Sequence, residues 1–166
     1  MALTQVETGM IKDAAVTQAK MAANVAGNGP AFSAYPSVGL SLSANTATKV
    51  VLPNERFDTA SCFDATNSLF RPSVAGYYWV MGLISTGASS WGTNPQLIVM
   101  VRKNGSDIAV NQVVPNPQWI SATASQLVYM NGTTDYLELY AQASSANSIV
   151  QYGGFTEFSA FLARAA

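Results

Sequence analysis

Short β-type segments separated by turn-forming residues run from Pro30 to the end of this 166-residue chain. Eight segments rich in β-branched and aromatic residues are each bounded by clusters of Pro, Gly, Asn or Ser. They cover residues 48–53, 68–73, 75–86, 95–103, 106–114, 122–130, 135–143 and 157–165. Because no helix-length periodic segment occurs in this part, the pattern predicts an all-β fold, either a sandwich or a jelly roll.

Two Asn-Gly pairs predict turns between neighbouring strands. Asn104-Gly105 joins two segments directly, as expected of a hairpin turn that needs positive φ angles. Asn131-Gly132 opens the short "NGTTD" connection that precedes segment 135–143. We expect each pair to close a β-hairpin.

Residues 1–29 differ from the rest of the chain. They are rich in Ala, Lys and Gln, and Met10, Ala14, Met21 and Val25 follow a loosely helical spacing. This stretch has too little apolar surface to fold alone. It predicts a short, partly helical connector over 1–29, ordered beside copies of itself or another partner, ahead of a head domain over 30–166. The first residues lack the basic start and apolar core of a signal peptide, so we expect no export by the general secretory route.

The segment 75–86 is apolar on both of its faces. One face would present Tyr77 and Trp79 and the other Tyr78, and segment 97–101 is also apolar on both sides. A strand of a lone antiparallel sandwich usually alternates, because one side meets water. A covering loop would explain the pattern, but contact with a neighbouring subunit is the favoured explanation, since large apolar patches usually mark interfaces.

The composition excludes several kinds of chemistry. The chain has no histidine, which removes the Ser-His-Asp and Cys-His arrangements and most zinc sites. Its single cysteine, Cys62, cannot form an internal disulfide and is expected to be a small buried apolar residue. Acidic residues are scattered, as solvated surface charges are, rather than paired as in a glycosidase. No glycine-rich phosphate loop is present. We therefore predict a protein that is not an enzyme and has no cofactor, and we assign no catalytic or metal-binding residues.

Charge and hydropathy limit the possible partners. Charged residues make up 10% of the chain and the net charge is −1, without a basic cluster that would bind nucleic acid. The longest apolar run is too short to cross a bilayer. The sequence therefore predicts neither nucleic-acid binding nor membrane insertion.

Three segments between strands, 85–96, 115–122 and 144–154, combine aromatic residues with small polar ones. Sugars suit such sites, since an aromatic face stacks on a sugar ring while amides bond its hydroxyls. For each tryptophan alone, plugging the end of the sandwich is a slightly better explanation. Three such segments together favour binding by at least one. The candidate receptor contacts are Trp91, Asn94, Asn116, Trp119, Asn147 and Tyr152.

Four motifs occur in order between residues 31 and 165. They are "AFSA" at 31–34, "VAGYYWV" at 74–80, "KNG" at 103–105 and "FSAFL" at 158–162. This ordered set resembles the C1q/TNF-like trimeric jelly roll. The chain departs from that family in the two extra residues of "GTTD" and in the absence of a collagen-like stalk. The segment "GMIKDAAVTQAKMA" is instead similar to connectors in bacteriophage tail fibre proteins, and residues 56–80 resemble their C-terminal heads.

The resemblance implies a homotrimer whose distal end binds bacterial surface polysaccharide or lipopolysaccharide without cleaving it. It implies a place in the virion, after assembly in the host bacterial cytoplasm. The aromatic residues that would supply the trimer interface are Tyr77, Tyr78, Trp79, Tyr136 and Tyr140. The alternatives are a trimerisation or capping module without receptor contact and, in third place, a polysaccharide depolymerase.

The first and last predicted strands of the head resemble each other, as "AFSAY" and "EFSAF". We expect them to be neighbours in one sheet, which brings both termini of the head to one attachment end. Phe32, Tyr35, Phe158 and Phe161 are assigned to the core near that end. Receptor-facing loops are then expected at the opposite end.

Overall fold

The computed structural model describes residues 20–22, 25, 27–86, 91, 95–114, 120–149 and 154–166. These residues form two antiparallel sheets that pack face to face, and they contain no α-helix. Across the same ranges, no helix has the length and apolar character needed to span a membrane. The all-β, two-sheet architecture predicted from the sequence is confirmed.

Thirteen strands are described. They are β1 (Ala31–Tyr35), β2 (Leu40–Leu42), β3 (Thr48–Lys49), β4 (Asn54–Asp58), β5 (Phe63–Asp64), β6 (Leu69–Phe70), β7 (Gly76–Thr86), β8 (Leu97–Lys103), β9 (Ser106–Val113), β10 (Ile120–Met130), β11 (Leu137–Ala143), β12 (Asn147–Ile149) and β13 (Glu157–Ala165). Sheet 1 has the order β2-β12-β7-β13-β1-β4, with β10 also paired to β7. Sheet 2 has the order β5-β6-β11-β8-β9, with β3 paired to β11.

The core lies between the sheets and is built by strand alternation. In β7, Tyr78 and Val80 are fully buried, while Tyr77 and Trp79 point outward from sheet 1. Phe32 anchors an aromatic cluster, with ring centroids 4.8 Å from Phe63, 4.5 Å from Phe70 and 5.1 Å from Phe158. These offset and edge-to-face contacts stabilise the sandwich beyond simple burial.

The first and last strands of the head pair directly. Phe32 lies opposite Ala160 and Ala34 opposite Phe158 in the antiparallel pair β1–β13. The N–H of Leu162 donates to the carbonyl of Pro30 at 3.0 Å, which extends the pairing toward the chain start. The expected neighbourhood of the two similar segments is confirmed, and both termini of the head lie at one end of the sandwich, called here the base.

The two Asn-Gly turns have different outcomes. Asn104 and Gly105 have φ angles of 52° and 82°, and they join β8 to β9 as the predicted hairpin. The prediction of a hairpin at Asn131-Gly132 is wrong, because β10 belongs to sheet 1 and β11 to sheet 2. The connection between them is therefore a corner that crosses from one sheet to the other.

The corner is held by its own side chains. The Asn131 Oδ1 accepts hydrogen bonds from the N–H groups of Thr133, Thr134 and Asp135 at 2.9 to 3.1 Å. Gly132 has a φ of 72°, and a Cβ there would lie 2.5 Å from the backbone nitrogen of Ala75. The Asn-Gly pair thus encodes a tight local turn, while the sheet that the next strand joins depends on long-range packing.

Several strands escaped prediction because they are short or polar. They are β2, β4, β5 and β12, of which β4 reads "NERFD". Segment 48–53 contains only the two-residue strand β3. Its remaining apolar residues, Val50 and Leu52, are nevertheless fully buried, so the segment contributes to the core.

Candidate subunit interface and distal loops

The outer surface of sheet 1 carries a group of exposed large apolar side chains toward the base, called here the aromatic face. Each of its members is 43–50% exposed: Phe57, Tyr77, Trp79, Leu127, Tyr129 and Phe161. Monomeric soluble proteins rarely expose such a group without a partner for it. The aromatic face is therefore the candidate subunit interface.

Strand register assembles this face from β10, β7 and β13. Trp79 lies opposite Leu127 on one side and Phe161 on the other. Tyr77 lies opposite Tyr129, with ring centroids 5.5 Å apart in an edge-to-face contact. The side chains thus form one continuous patch rather than scattered single exposures.

A cavity of about 360 Å³ opens on this face beside Trp79 and Phe161. Its lining is mostly apolar and also includes Phe57, Met81 and Ser159. Polar groups lie at one side, where the Ser33 Oγ donates to the Glu157 Oε1 at 2.9 Å. Glu157 also faces Arg56, with 3.7 Å between Oε2 and Nε.

The outer surface of sheet 2, called here the paired face, has the opposite character. Lys49 and Glu138 form an ion pair at 2.6 Å, and Arg102 and Asp107 form another at 2.6 Å. The Arg102 guanidinium also lies 4.0 Å from the centroid of the Tyr140 ring. The hydrogen bond to Asp107 raises the pKa of Arg102 above its ordinary value, with partial opposition from burial. The charges and the ring on this face are satisfied within one chain.

The five aromatic residues predicted for the interface, four tyrosines and one tryptophan, do not lie together in the structure. Tyr77 and Trp79 lie on the aromatic face, whereas Tyr140 lies on the paired face under Arg102. Tyr136 follows the corner, where its N–H donates to Asn104 Oδ1 at 3.0 Å. Tyr77 and Trp79 are thus on the outer surface of sheet 1, and Tyr140 is on that of sheet 2.

Tyr78 was assigned wrongly to the interface. Its side chain is fully buried, and its hydroxyl donates to the carbonyl of Val74 at 2.9 Å. Burial raises the pKa of this hydroxyl well above its ordinary value, and the nearby Cys62 thiol adds to the effect. Because side chains alternate along β7, Tyr77 and Tyr78 cannot share a face.

The residues assigned to the core at the attachment end divide in the same way. Phe32 and Phe158 are fully buried, as expected. Phe161 is half exposed on the aromatic face, so its assignment to the core is wrong, since it has the opposite parity to Phe158 along β13. Tyr35 is partly buried, with the Arg56 guanidinium 5.0 Å from its ring centroid.

Leu127, Tyr129 and Phe57 belong to the aromatic face but were not predicted from the sequence. Leu127 and Tyr129 alternate with the buried Val128 and Met130, which is the signal that could have found them. Phe57 lies on the polar strand β4, whose composition gave no strand signal. Its place on the face follows only from its pairing opposite Ser33.

The strands that flank the three aromatic and polar segments end together, opposite the base. Thr86 lies opposite both Ile120 and Ile149, and Leu97 lies opposite both Val113 and Ala143. We call this the distal end. Of the candidate receptor contacts, four lie outside the described residues: Asn94, Asn116, Trp119 and Tyr152. The other two candidates, Asn147 and Trp91, are among the described residues, and Asn147 is the first residue of β12.

Trp91 packs against the hydrophobic core, as expected of a tryptophan that plugs the end of the sandwich. Its indole Nε1 is buried without a hydrogen-bond partner. The Thr86 Oγ1 and the Ser145 Oγ share this condition, and among the described residues all such atoms lie toward the distal end. Buried polar groups normally have partners, and these three atoms are exceptions inside the sandwich rather than groups that face solvent.

Metal-binding chemistry is not visible in the described ranges. They contain no group of three or more His, Cys, Asp or Glu residues that could hold a metal ion. The buried Cys62 Sγ lies 3.4 Å from the carbonyl oxygen of Ala60 and 3.9 Å from the Ser73 Oγ.

Several solved structures have a fold similar to that of this chain. The chain is similar to the globular domain of a zebrafish complement 1qA protein, with a TM-score of 0.58 and 15% identity over 82% of this chain and 98% of that one. It is similar to murine APRIL, with a TM-score of 0.57 and 12% identity over 79% and 96%. It is also similar to Eiger TNF from S. frugiperda, with a TM-score of 0.57 and 13% identity over 82% and 94%.

No protein-family model and no curated protein sequence matches the chain. The structural likeness therefore shows the fold, which is the C1q/TNF jelly roll that the sequence motifs imply.

Proposed function

We propose that this chain is the homotrimeric C-terminal head of a bacteriophage tail fibre. In this proposal the head attaches the virion to a bacterial cell-surface polysaccharide or lipopolysaccharide and does not cleave it. The protein is then a virion component assembled in the host bacterial cytoplasm.

The proposal rests on one observation, which is that the two ends of the sandwich differ in character. The aromatic face and both termini of the head lie toward the base. The strands flanking the three segments with aromatic, amide and hydroxyl side chains end together at the distal end. A fibre tip needs this arrangement, with one end for self-association and attachment and the other for a receptor.

Self-association is supported by the aromatic face. Its exposed tryptophan and tyrosines are the residue types that dominate binding energy at protein interfaces. The C1q/TNF-like family that the sequence resembles is trimeric, and three copies around an axis would cover this face in each of them. The connector over residues 1–29 then enters the trimer from the base.

Glycan binding is supported by the composition of the three segments, which combine aromatic residues with amides and hydroxyls. A neutral polar ligand suits a chain of which only 10% is charged. Weak binding per site suffices, because three copies per fibre and several fibres per particle raise avidity steeply.

A competition assay tests the proposal. The purified chain is expected to adsorb to susceptible bacteria and to block infection by a phage that carries it. The variant Asn116→Ala with Trp119→Ala should lose adsorption while remaining trimeric. The control Ser106→Ala, at the end of β9 opposite to Val113, should adsorb as the unmodified chain does.

The main alternative is a trimerisation or capping module, which is consistent with the packing of Trp91 on the core. A trimer that neither adsorbs nor competes would establish this alternative and contradict the receptor-binding proposal. Release of reducing sugar ends from host polysaccharide would instead indicate a depolymerase.

A further inference from the structure

We propose that Asn104 is a site of spontaneous deamidation, and that its conversion to a carboxylate releases the turn between β8 and β9 from the corner. An asparagine followed by a glycine is the sequence that favours this reaction, because glycine has no side chain to crowd its backbone nitrogen. Three such pairs occur in the chain: Asn28-Gly29, Asn104-Gly105 and Asn131-Gly132. The structure gives each pair different surroundings, and these surroundings select Asn104.

The reaction at this site consumes only water. The backbone nitrogen of Gly105 attacks Cγ of Asn104, its proton leaves with Nδ2 as ammonia, and a five-membered succinimide joins the two residues. Water then adds to one of the two ring carbonyls and opens the ring, which gives aspartate or, when the backbone runs through the side-chain carbonyl, isoaspartate. One water is consumed and one ammonia is released, so a neutral hydrogen-bond donor becomes a negatively charged acceptor.

Asn104 lies on an exposed turn where few contacts restrain its side chain. The amide makes two hydrogen bonds: Nδ2 donates to Asp135 Oδ1 at 2.8 Å, and Oδ1 accepts from the Tyr136 N–H at 3.0 Å. A Cβ at Gly105 would have no neighbour within 4 Å, so the turn projects into open space. The carboxamide can therefore leave its two partners and approach the Gly105 nitrogen without displacing packed atoms.

Asn131 is restrained more strongly by the corner itself. Its amide takes part in five hydrogen bonds, four of which are accepted by Oδ1. A Cβ at Gly132 would lie 2.5 Å from the backbone nitrogen of Ala75, so this turn packs closely against the chain. We therefore expect Asn131 to deamidate more slowly than Asn104, although the two residues have the same neighbour in the sequence.

Conversion of Asn104 would place two carboxylates against each other. Asp135 is 8% exposed and accepts from the very nitrogen that the reaction replaces with oxygen. Lys103, whose Nζ is 2.7 Å from the Asp135 Oδ2, would then be shared by two negative charges. Like charges that share a site disfavour each other, so the turn between β8 and β9 separates from the corner.

The same conversion has a smaller effect at the other two pairs. At Asn131 the essential group is Oδ1, and a carboxylate oxygen accepts the same backbone N–H groups at least as well. At Asn28, Nδ2 donates to the carbonyls of Met21 and Ala22, which precede the first strand of the sandwich. Deamidation at Asn104 is therefore the one that disrupts a contact between strands of the head.

Mass spectrometry of the purified chain, kept folded in mildly alkaline buffer, measures the reaction as a gain of one mass unit at each asparagine. Asn104 is expected to react at least about 10-fold faster than Asn131, because three more hydrogen bonds restrain Asn131. In urea the two residues should react at similar rates, which is the control for their intrinsic chemistry. If Asn104 reacts no faster than Asn131 in the folded chain, the proposal is overturned.

The variants Asn104→Asp and Asn131→Asp test the consequence without waiting for the reaction. Asn104→Asp is expected to lower the folding equilibrium constant at least about 10-fold in urea denaturation, and Asn131→Asp less than about 3-fold. Asn28→Asp is a second control and should leave the unfolding of the head unchanged. An Asn104→Asp chain as stable as the unmodified one would contradict the release of the corner. If Asn104→Asp fails to fold, the reaction rates of the unmodified chain still decide whether Asn104 is the site.

Discussion

The two outer faces of the sandwich treat their aromatic residues differently. On the paired face, Tyr140 lies beneath Arg102, which is itself bonded to Asp107. On the aromatic face, Trp79 and Phe161 lie side by side with half of their surface in water. Both faces derive from strands that read as equally apolar or aromatic in the sequence.

The difference separates a surface whose charged and aromatic groups interact within one chain from a surface whose aromatic groups remain exposed. An arginine stacked on a tyrosine ring stabilises the fold without a partner, by about 0.5 to 2 kcal/mol. Exposed aromatic residues gain comparable free energy only when another surface removes them from water. We therefore expect changes on the paired face to affect folding and changes on the aromatic face to affect assembly.

The largest expected effect is on assembly. Trp79→Lys places a charge at the centre of the aromatic face and should weaken self-association by at least roughly 30-fold, since a central tryptophan contributes at least about 2 kcal/mol at an interface. Sedimentation equilibrium measures this change. Tyr140→Lys is the matched control on the other face and should leave the association constant unchanged. Equal losses in both variants would contradict the distinction between the faces.

The next effect is on folding, at the corner that links the sheets. Asp135 accepts hydrogen bonds from Asn104 Nδ2 at 2.8 Å and the Asn131 N–H at 2.9 Å, and it pairs with Lys103 at 2.7 Å. Asp135→Ala leaves these donors unpaired and should lower the free energy of unfolding by about 2 to 3 kcal/mol. Urea denaturation measures it, with Asp107→Ala, at a more exposed carboxylate, costing less than about 1 kcal/mol.

The same carboxylate predicts a pH dependence. Burial alone would raise the pKa of Asp135, but the bonds from Lys103, Asn104 and Asn131 outweigh it and lower the pKa below its ordinary value. Its contribution to stability is therefore complete above the unfolded pKa, near 3.9, and is lost as the pH falls through the lower folded value. Asp135→Asn should lose less stability than the unmodified chain between pH 5 and pH 2. A parallel pH profile in the two proteins would refute this assignment.

A smaller effect is expected within the paired face. Glu138 is 8% exposed and pairs with Lys49 at 2.6 Å. Glu138→Gln keeps the shape but removes the charge, and should cost about 1 kcal/mol of folding free energy. Thermal unfolding should show this loss, while sedimentation should show an unchanged assembly.

The smallest effect is expected at the exposed ion pair of sheet 1. Arg56 and Glu157 are 3.7 Å apart, and the arginine side chain is 40% exposed. Arg56→Ala should change the free energy of unfolding by less than about 0.5 kcal/mol, because water and salt screen such pairs. A larger loss in the trimer than in the monomeric Trp79→Lys background would place Arg56 in the subunit contact.

The order of the motifs along the chain predicted more of the fold than any single motif did. The pairing of "AFSAY" with "EFSAF" and the hairpin at Asn104-Gly105 were predicted from the sequence, because both depend on strand patterns and turn conformations that local residues encode. The common end at which the strands flanking the three polar segments terminate followed from the same strand order. The individual interface residues did not follow, since the five aromatic residues chosen by type lie on two faces, beside the corner and in the core.

The sequence by itself determined the longer β-strands, their alternation and the tight turns, since these depend on neighbours one to four residues apart. Only the tertiary structure decided that β10 and β11 belong to different sheets, that Tyr78 rather than Tyr77 faces the core, and that Arg102 covers Tyr140. Each of these depends on contacts between residues far apart in the chain. A period of two identifies two faces of a strand, but only packing against the second sheet determines which face is buried.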